Sequence, residues 1–188
     1  VSPAQRQLLE DLQSESQRLN RMVGDLLKGS NLPQETSLRG RTSADLRSVI
    51  EQASRRVTLL APNRVRVETS LQSLHATQIS VPKTVLESAL DALLENAVQH
   101  AQGRVLVGCE IEGRQVNLFI DDDGPGISPE HRAMVMQPFA RVESHRGTPG
   151  SGLGLAIACS AAARLGGTLS IEDSPLGGAR LRLRFEPA

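Results

Sequence analysis

Hydrophobic residues recur at helical spacing in four stretches of the chain. The first stretch, residues 3–28, opens with Ser2-Pro3 and carries a narrow apolar seam on an otherwise polar segment. The other helices are predicted at about 44–60, 85–101 and 152–165. A lone helix with such a seam would expose it to water, so we expect residues 3–28 to pack against a helix from a second chain or from a segment outside this chain.

Alternating apolar and polar residues predict short strands between the later helices. The strands lie at about 64–70, 78–81, 105–111, 116–120, 168–172 and 180–185. Glycine and proline between residues 128 and 151 predict a long loop with a short helical piece near 129–136. The order of elements predicts an α+β fold, a two-layer α/β sandwich whose mixed sheet is covered by helices on one face.

The periodicity also divides the chain. We expect a long N-terminal helix within residues 1–30, a linker of turn-forming residues at 31–43, and one globular domain at 44–188. No basic and apolar leader opens the sequence, and no apolar run reaches the roughly 20 residues of a membrane helix. The two cysteines, Cys109 and Cys159, lack CxxC spacing, so we expect buried, reduced thiols.

Charge and aromatic content exclude some partners. Among 188 residues, 21 are Lys or Arg and 21 are Asp or Glu, so the formal net charge is zero. No overall field attracts nucleic acid, and three Phe with no Trp or Tyr cannot provide base-stacking platforms. We therefore expect no nucleic-acid partner, and any anion must bind at a local site.

Three segments carry candidate chemistry, and the first is a polar stripe on the predicted helix at 85–101. Ala92, Asn96, Gln99 and His100 fall on one side of a helix that otherwise buries leucines. Asn96 alone could simply bond a loop carbonyl. The whole stripe on a buried helix predicts a ligand.

The second segment is the acidic and glycine-rich run at residues 121–127. The preceding strand would deliver Asp122 to the interior, and Gly124 and Gly126 let the backbone approach a ligand closely. The run lacks the alternating oxygen ligands and the distant Glu of a calcium-binding EF-hand loop.

The third segment is the glycine-rich turn at residues 150–156, which leads into a helix. Free backbone N–H groups and the positive end of the helix dipole can receive phosphates there. The turn is neither a dinucleotide fingerprint nor a P-loop, because no strand directly precedes it and no Lys-Ser/Thr pair follows.

Together, these segments resemble the ATP-binding domain of bacterial sensor histidine kinases. LLENAVQHA, DDDGPGI, MQPFAR and GSGLGLAIA are similar to that family's N, G1, F and G2 boxes, and the resemblance covers about residues 43–186. It implies the Bergerat ATP-binding fold, which gyrase-like and chaperone ATPases share. The N-terminal helix is similar to the second helix of the family's dimerisation and phosphotransfer domain.

The resemblance also implies roles for single residues. Asn96 would hold Mg²⁺, and the Asp122 carboxylate would accept the adenine amino group. Gly124, Gly126 and Ile127 would shape the adenine pocket.

An ATP lid would span residues 128–149, with Phe139 as the F-box aromatic. Arg141, and with it Arg146, could reach the phosphates, so Asn96 and Arg141 are the candidate catalytic residues. The residues that would meet the phosphates at the end of the lid are Gly150, Gly152, Leu153 and Gly154.

The sequence departs from the family's pattern at four positions. Ala92 stands where gyrase-like ATPases carry a water-activating Glu, so we expect poor hydrolysis of ATP. Gln99 and His100 replace the usual Lys and Tyr of the nucleotide site, although His100 can still donate a hydrogen bond. Ala179 replaces a frequent Thr near adenine.

None of the four histidines, His75, His100, His131 and His145, has the sequence context of a phosphoacceptor. The resemblance therefore implies a fragment of a protein-histidine kinase. Mg-ATP bound here would phosphorylate a His on an upstream helix, and an Asp of a response regulator would then take the phosphate. The full-length protein would dimerise through the N-terminal helix, with this part a cytoplasmic domain of an inner-membrane sensor.

Two other classes of function stay open. Ala92, Gln99 and His100 are compatible with a degenerate or regulatory nucleotide-binding module. A gyrase-type or chaperone-type ATPase would share the fold but needs a Glu that this sequence lacks. An anti-sigma-type serine kinase is disfavoured by the N-terminal helix.

Overall fold

The computed structural model describes residues 41–60, 64–72, 74, 77–140 and 152–187. The predicted helix within residues 1–30 and most of the linker lie outside these residues, as do Arg141, Arg146 and Gly150. In chain order, the described elements are β1 (Arg41–Asp45), α1 (Leu46–Leu60), β2 (Arg66–Ser70), β3 (Gln78–Pro82), α2 (Lys83–His100), β4 (Arg104–Glu112), β5 (Gln115–Asp122), α3 (Pro129–Val135), α4 (Gly154–Arg164), β6 (Thr168–Asp173) and β7 (Ala179–Phe185).

The main sheet has five strands in the order β2-β4-β5-β7-β6. β2 and β4 are parallel, and the other neighbours are antiparallel. The predicted mixed sheet is therefore confirmed. Strand β3 lies outside it and pairs with β1 in a separate antiparallel ribbon.

The start of the globular domain differs from the prediction. We expected a linker to residue 43 and a helix from residue 44, but residues Arg41–Asp45 form β1 and α1 begins at Leu46. The sequence RTSAD has no apolar alternation. It is a strand because β3, more than 30 residues away, supplies its hydrogen bonds, and Ser43 Oγ also donates to Gln78 Oε1 at 2.7 Å.

Helices α1, α2 and α4 pack on one face of the main sheet, as predicted. The sheet residues on this face alternate with outward ones, as in Leu118 and Ile120 of β5 or Leu181 and Leu183 of β7. Leucines of α2 meet them from the helix layer, and each fully buried side chain of this size contributes about 1.5–3 kcal/mol. The described part of the chain contains no helix that is long and apolar enough to cross a membrane.

The other face of the sheet is built from charged residues around one aromatic ring. The Phe119 ring lies over Gly108, where a Cβ would approach it to 2.1 Å. The Arg180 guanidinium covers the ring at 4.5 Å, and that of Arg182 lies 5.7 Å away. β5 thus carries an apolar face toward the helices and a polar face away from them.

Candidate functional site

Asp122 ends β5 on the face that the helices cover, and only 2% of its surface is exposed. Its Oδ1 accepts two backbone hydrogen bonds, from the N–H of Gly124 at 2.8 Å and from the N–H of Ala179 at 3.1 Å. One carboxylate oxygen is thus held by the backbone, and the other receives no hydrogen bond from the described residues.

The electrostatics of Asp122 follow from this burial. Removal from water raises the pKa of its carboxyl, because the charged form loses hydration. The two backbone N–H groups oppose that shift, and the neighbouring carboxylates add to it. The structure therefore keeps a buried carboxylate whose charge is only partly compensated, which favours a ligand that donates a hydrogen bond.

The aspartates on either side have their own partners. Asp121 is fully buried on the opposite face and accepts both bonds of the Arg180 guanidinium, at 2.6 and 2.7 Å. Asp123 accepts from the N–H groups of Gln102 at 2.8 Å and Gly103 at 3.1 Å. Partial burial alone would raise the pKa of Asp123, but hydrogen bonds with the backbone at Arg104, Gly103 and Gln102 bring it below its ordinary value. The three adjacent aspartates therefore have three different sets of hydrogen-bond partners.

Two glycines allow other segments to approach Asp122. A Cβ on Gly124 would lie 2.5 Å from the carbonyl oxygen of His100, and one on Gly178 would lie 2.1 Å from Oδ1 of Asp122. The N–H of Gly178 also donates to the Asp122 carbonyl at 3.2 Å. Gly126 lies against this turn, 3.4 Å from the Gly178 carbonyl oxygen at its Cβ position. The sequence predicted Gly124 and Gly126 here but missed Gly178, whose only local signal is the Gly177-Gly178 pair.

The polar stripe of α2 extends between the Asp122 loop and the glycine-rich turn before α4, which are the two ends of the site. Gly124 meets α2 at the His100 carbonyl, and Gly154 meets it at Ala92, whose carbonyl oxygen is 3.6 Å from the Gly154 Cβ position. Residues 92, 96 and 100 follow each other at intervals of four, so the two contacts are about 12 Å apart along the helix. Asn96 lies midway between them, half-buried on the same side of α2.

The glycine-rich turn leads into α4 as predicted. Gly152 has φ +71°, and its carbonyl accepts a 2.8 Å hydrogen bond from the N–H of Phe139. Phe139 itself has φ +66°, the one non-glycine residue with positive φ in the described part of the chain. This contact joins the two described ends that flank residues 141–151. Leu153 at the N-cap has no side-chain oxygen for the first-turn N–H groups, which suits them to an anionic ligand.

Gln99, His100 and Ile127 lie at the Asp122 end. Gln99 and His100 form the last turn of α2 and are half-buried, and the Gln99 carbonyl accepts a bond from Arg64 at 3.4 Å. The half-buried Ile127 packs against the core just after Gly126. The structure thus brings the adenine-side candidates together around Asp122. The role of His100 as a replacement for tyrosine at the nucleotide stays a prediction.

The described residues contain no cluster of three or more His, Cys, Asp or Glu side chains that could hold a metal ion. The Asn96 side-chain amide has no hydrogen-bond partner among them. Mg²⁺ binds oxygen ligands and often takes only one or two from the protein when a nucleotide supplies phosphate oxygens. A single amide oxygen between the two ends of the site fits that mode of binding.

Comparison with known proteins identifies the kind of site. Residues 82–188 match the family described as "Histidine kinase-, DNA gyrase B-, and HSP90-like ATPase". The chain belongs to this family. The match covers α2, the Asp122 loop, α4 and the last four strands of the chain, β4 to β7, which together carry every site residue discussed above.

Two relatives of this chain are the sensor protein RstB and the sensor histidine kinase CpxA, both of Escherichia coli. RstB is 33% identical over 177 residues, which are 89% of this chain and 40% of RstB. CpxA is 34% identical over 179 residues, 92% of this chain and 38% of CpxA. The chain thus spans about two fifths of the length of these relatives.

Among solved structures, the ATP-binding domain of PrrB from Mycobacterium tuberculosis is 29% identical, with a TM-score of 0.65. The alignment covers 79% of this chain and 98% of that structure. The predicted family and Bergerat fold are confirmed. The chain contains the ATP-binding catalytic domain of the sensor histidine kinase type, which these relatives favour over a gyrase-type or chaperone-type ATPase.

Proposed function

We propose that this chain binds Mg-ATP with adenine at Asp122 and the phosphates at the start of α4. The γ-phosphoryl group of the bound ATP is then transferred to a histidine on another segment. The observation that carries this is the Asp122 carboxylate, which has Oδ1 fixed by two backbone N–H groups and Oδ2 free of described partners. An adenine amino group is a neutral donor that matches this one available acceptor.

Asn96 is the residue that would hold Mg²⁺, through its side-chain oxygen. The bound ion would neutralise phosphate charge, which is a large part of phosphoryl-transfer catalysis. The backbone N–H groups at residues 152–154 would orient the phosphates, and Arg141 would add a positive charge near the group being transferred. These residues would position and stabilise, with no covalent step of their own.

Ala92 makes this site a poor ATPase. Its methyl side chain is buried on α2 and cannot activate water. A bound ATP would therefore persist until an acceptor histidine arrives. This suits a phosphotransfer enzyme better than one that hydrolyses ATP at each cycle.

The wider protein follows from the same proposal. The acceptor histidine would lie on a helix upstream, and residues 1–30 would form the second helix of a homodimeric phosphotransfer domain. A response-regulator aspartate would receive the phosphate. The parent would be a membrane-anchored sensor with this part in the cytoplasm.

Titration calorimetry with Mg-ATP tests the site. We expect binding by the unmodified chain and at least tenfold weaker binding for Asp122→Asn and for Asn96→Ala. Asp91→Asn is a matched control, because Asp91 lies on the same helix but pairs with Arg56 at the surface. No binding, or binding that neither site variant weakens, would contradict the proposal.

Phosphotransfer needs a second assay. The chain alone, incubated with γ-labelled ATP, is expected to gain no acid-labile phosphate on its own histidines. Addition of the parent protein's upstream phosphotransfer helices should give label on those helices. Label on this chain instead, or rapid steady-state release of phosphate, would favour a different enzyme class.

A further inference from the structure

Arg132 lies on α3, at the start of the segment predicted as the ATP lid, and no role at the nucleotide was assigned to it. Its guanidinium joins two segments that border Asp122. Its Nε donates to the carbonyl of Ile127 at 3.0 Å, and a terminal nitrogen pairs with the Asp173 carboxylate. Arg132 is 22% exposed at its side chain, whereas Asp173 is 88% exposed. The arginine is therefore packed, and its carboxylate partner reaches it from the surface.

Both segments lead directly to the Asp122 carboxylate. Ile127 closes the loop whose Gly124 N–H bonds Oδ1. Asp173 ends β6 and pairs in register with Ala179, the second donor to Oδ1. Between these two, the N–H of Ser174 donates to the Gly178 carbonyl at 2.9 Å.

These contacts form a continuous network. It runs from Asp122 through its own loop to Ile127, across Arg132 to Asp173, and back through Ala179 to Asp122. Without the arginine, the network is interrupted on the side where α3 begins. α3 has only seven residues, too few to be stable without tertiary contacts, so its side chains must hold it in place.

We propose that Arg132 is a positioning residue for adenine recognition, which holds the Asp122 loop and the β6–β7 turn at the separation that aims Oδ2 at the adenine amino group. This inference rests on the proposed function. The planar guanidinium can bond a carbonyl and a carboxylate in two directions at once, whereas lysine presents a single ammonium. The exposed ion pair with Asp173 contributes little to the free energy of folding, so the expected effect of Arg132 is on the geometry of the two segments that it joins.

A double-mutant cycle with two nucleotides tests the proposal. The proteins are the unmodified chain, Arg132→Ala, Asp122→Asn and the double variant. The ligands are ATP and purine riboside triphosphate, which lacks only the 6-amino group. We expect Arg132→Ala to weaken ATP binding about five- to tenfold and the amino-free nucleotide much less, and to add little in the Asp122→Asn background.

Two further variants separate positioning from general damage. Arg132→Lys should give an intermediate loss of ATP affinity and keep the fold, which provides a second measurement if Arg132→Ala unfolds. Arg56→Ala removes an arginine that pairs with Asp91 between α1 and α2, and should leave both affinities unchanged.

Each outcome bears on the proposal. Equal weakening of both nucleotides by Arg132→Ala, or the same loss with and without Asp122, would overturn it while leaving the proposed function intact. An unmodified chain that does not bind ATP would overturn both. Loss of ATP affinity that depends on the amino group and on Asp122 would support both.

Discussion

The backbone N–H of Ala179 donates a 3.1 Å hydrogen bond to Oδ1 of Asp122, which joins residues 57 positions apart in the chain. The bond uses the main chain of β7, so it does not depend on the side chain at position 179. Alanine at position 179, where the family resemblance predicts threonine, therefore keeps this contact. The direction of the Asp122 carboxylate is set by two strands and a turn.

Replacement of Asp122 by asparagine should separate nucleotide binding from folding. The two N–H donors would keep the amide oxygen at the Oδ1 position, which turns the amide nitrogen toward the ligand and against the adenine amino group. Loss of a charge-assisted hydrogen bond costs about 1.5–3 kcal/mol, or roughly ten- to a hundredfold in the dissociation constant. Calorimetry should show this loss, while the melting temperature of the ligand-free protein stays the same or rises.

The pH dependence of ATP binding should follow Asp122. Because burial raises its pKa above the ordinary 3.8, the folded protein binds this proton more readily than the unfolded chain. The carboxyl therefore favours folding below its unfolded pKa, and that contribution is lost as the pH rises through the folded pKa. Adenine needs the ionised form, so affinity should fall as the pH drops through the same range.

The Asp122→Asn variant is the control for that titration. Both proteins share the protonation of the ATP phosphates, and only the unmodified chain has the Asp122 proton. The ratio of their affinities should therefore shrink with decreasing pH. A constant ratio down to the ordinary pKa of aspartate would contradict the assignment of Asp122.

Asp121 should affect stability without affecting the nucleotide. It accepts both bonds of the Arg180 guanidinium on the opposite face of the sheet from Asp122. Asp121→Asn is expected to lower the free energy of unfolding by about 2 kcal/mol, the usual scale for hydrogen bonds to charged groups. Urea denaturation should reveal the loss, and calorimetry at neutral pH should give an unchanged ATP affinity.

Two glycines of the predicted phosphate turn should differ in their tolerance of alanine. Gly152 has φ +71°, and a Cβ there would lie 2.9 Å from the Cα of Phe139, so Gly152→Ala should lower the free energy of unfolding by about 1–2 kcal/mol or more. At Gly154 the nearest atom would be 3.6 Å away, so Gly154→Ala should leave stability unchanged or slightly higher. Thermal melting without nucleotide distinguishes them, and equal destabilisation would contradict the geometry.

Much of the fold could be predicted because its signals are local. The leucines of α2 repeat along one side, and the valines of β4 alternate, so each element is visible within its own stretch of sequence. β1 could not be predicted in this way. Its residues, RTSAD, have no apolar period, and its hydrogen bonds come from β3.

The sequence predicted those site residues that can be recognised from the segment in which they stand. Asp122, Gly124 and Gly126 stand in one short run, and Asn96 stands on one helix. The contributions of Gly178, Arg132 and Arg180 could not be predicted from spacing, because each acts on a partner 40 or more residues away in sequence or through a turn that only the tertiary structure brings close. Burial of Asp122, by contrast, was predicted from the strand that precedes it and is confirmed.

The two contacts on α2 determine where this domain can change in length. One residue inserted between Ala92 and His100 would rotate everything beyond it by about 100° and advance it by 1.5 Å, which would turn Asn96 or the Gly124 contact away from the ligand. Gly177, in the turn between β6 and β7, is different, because nothing lies within 4 Å of its Cβ position. We therefore expect insertions and deletions among related domains to be tolerated at Gly177 and to be absent from the middle of α2.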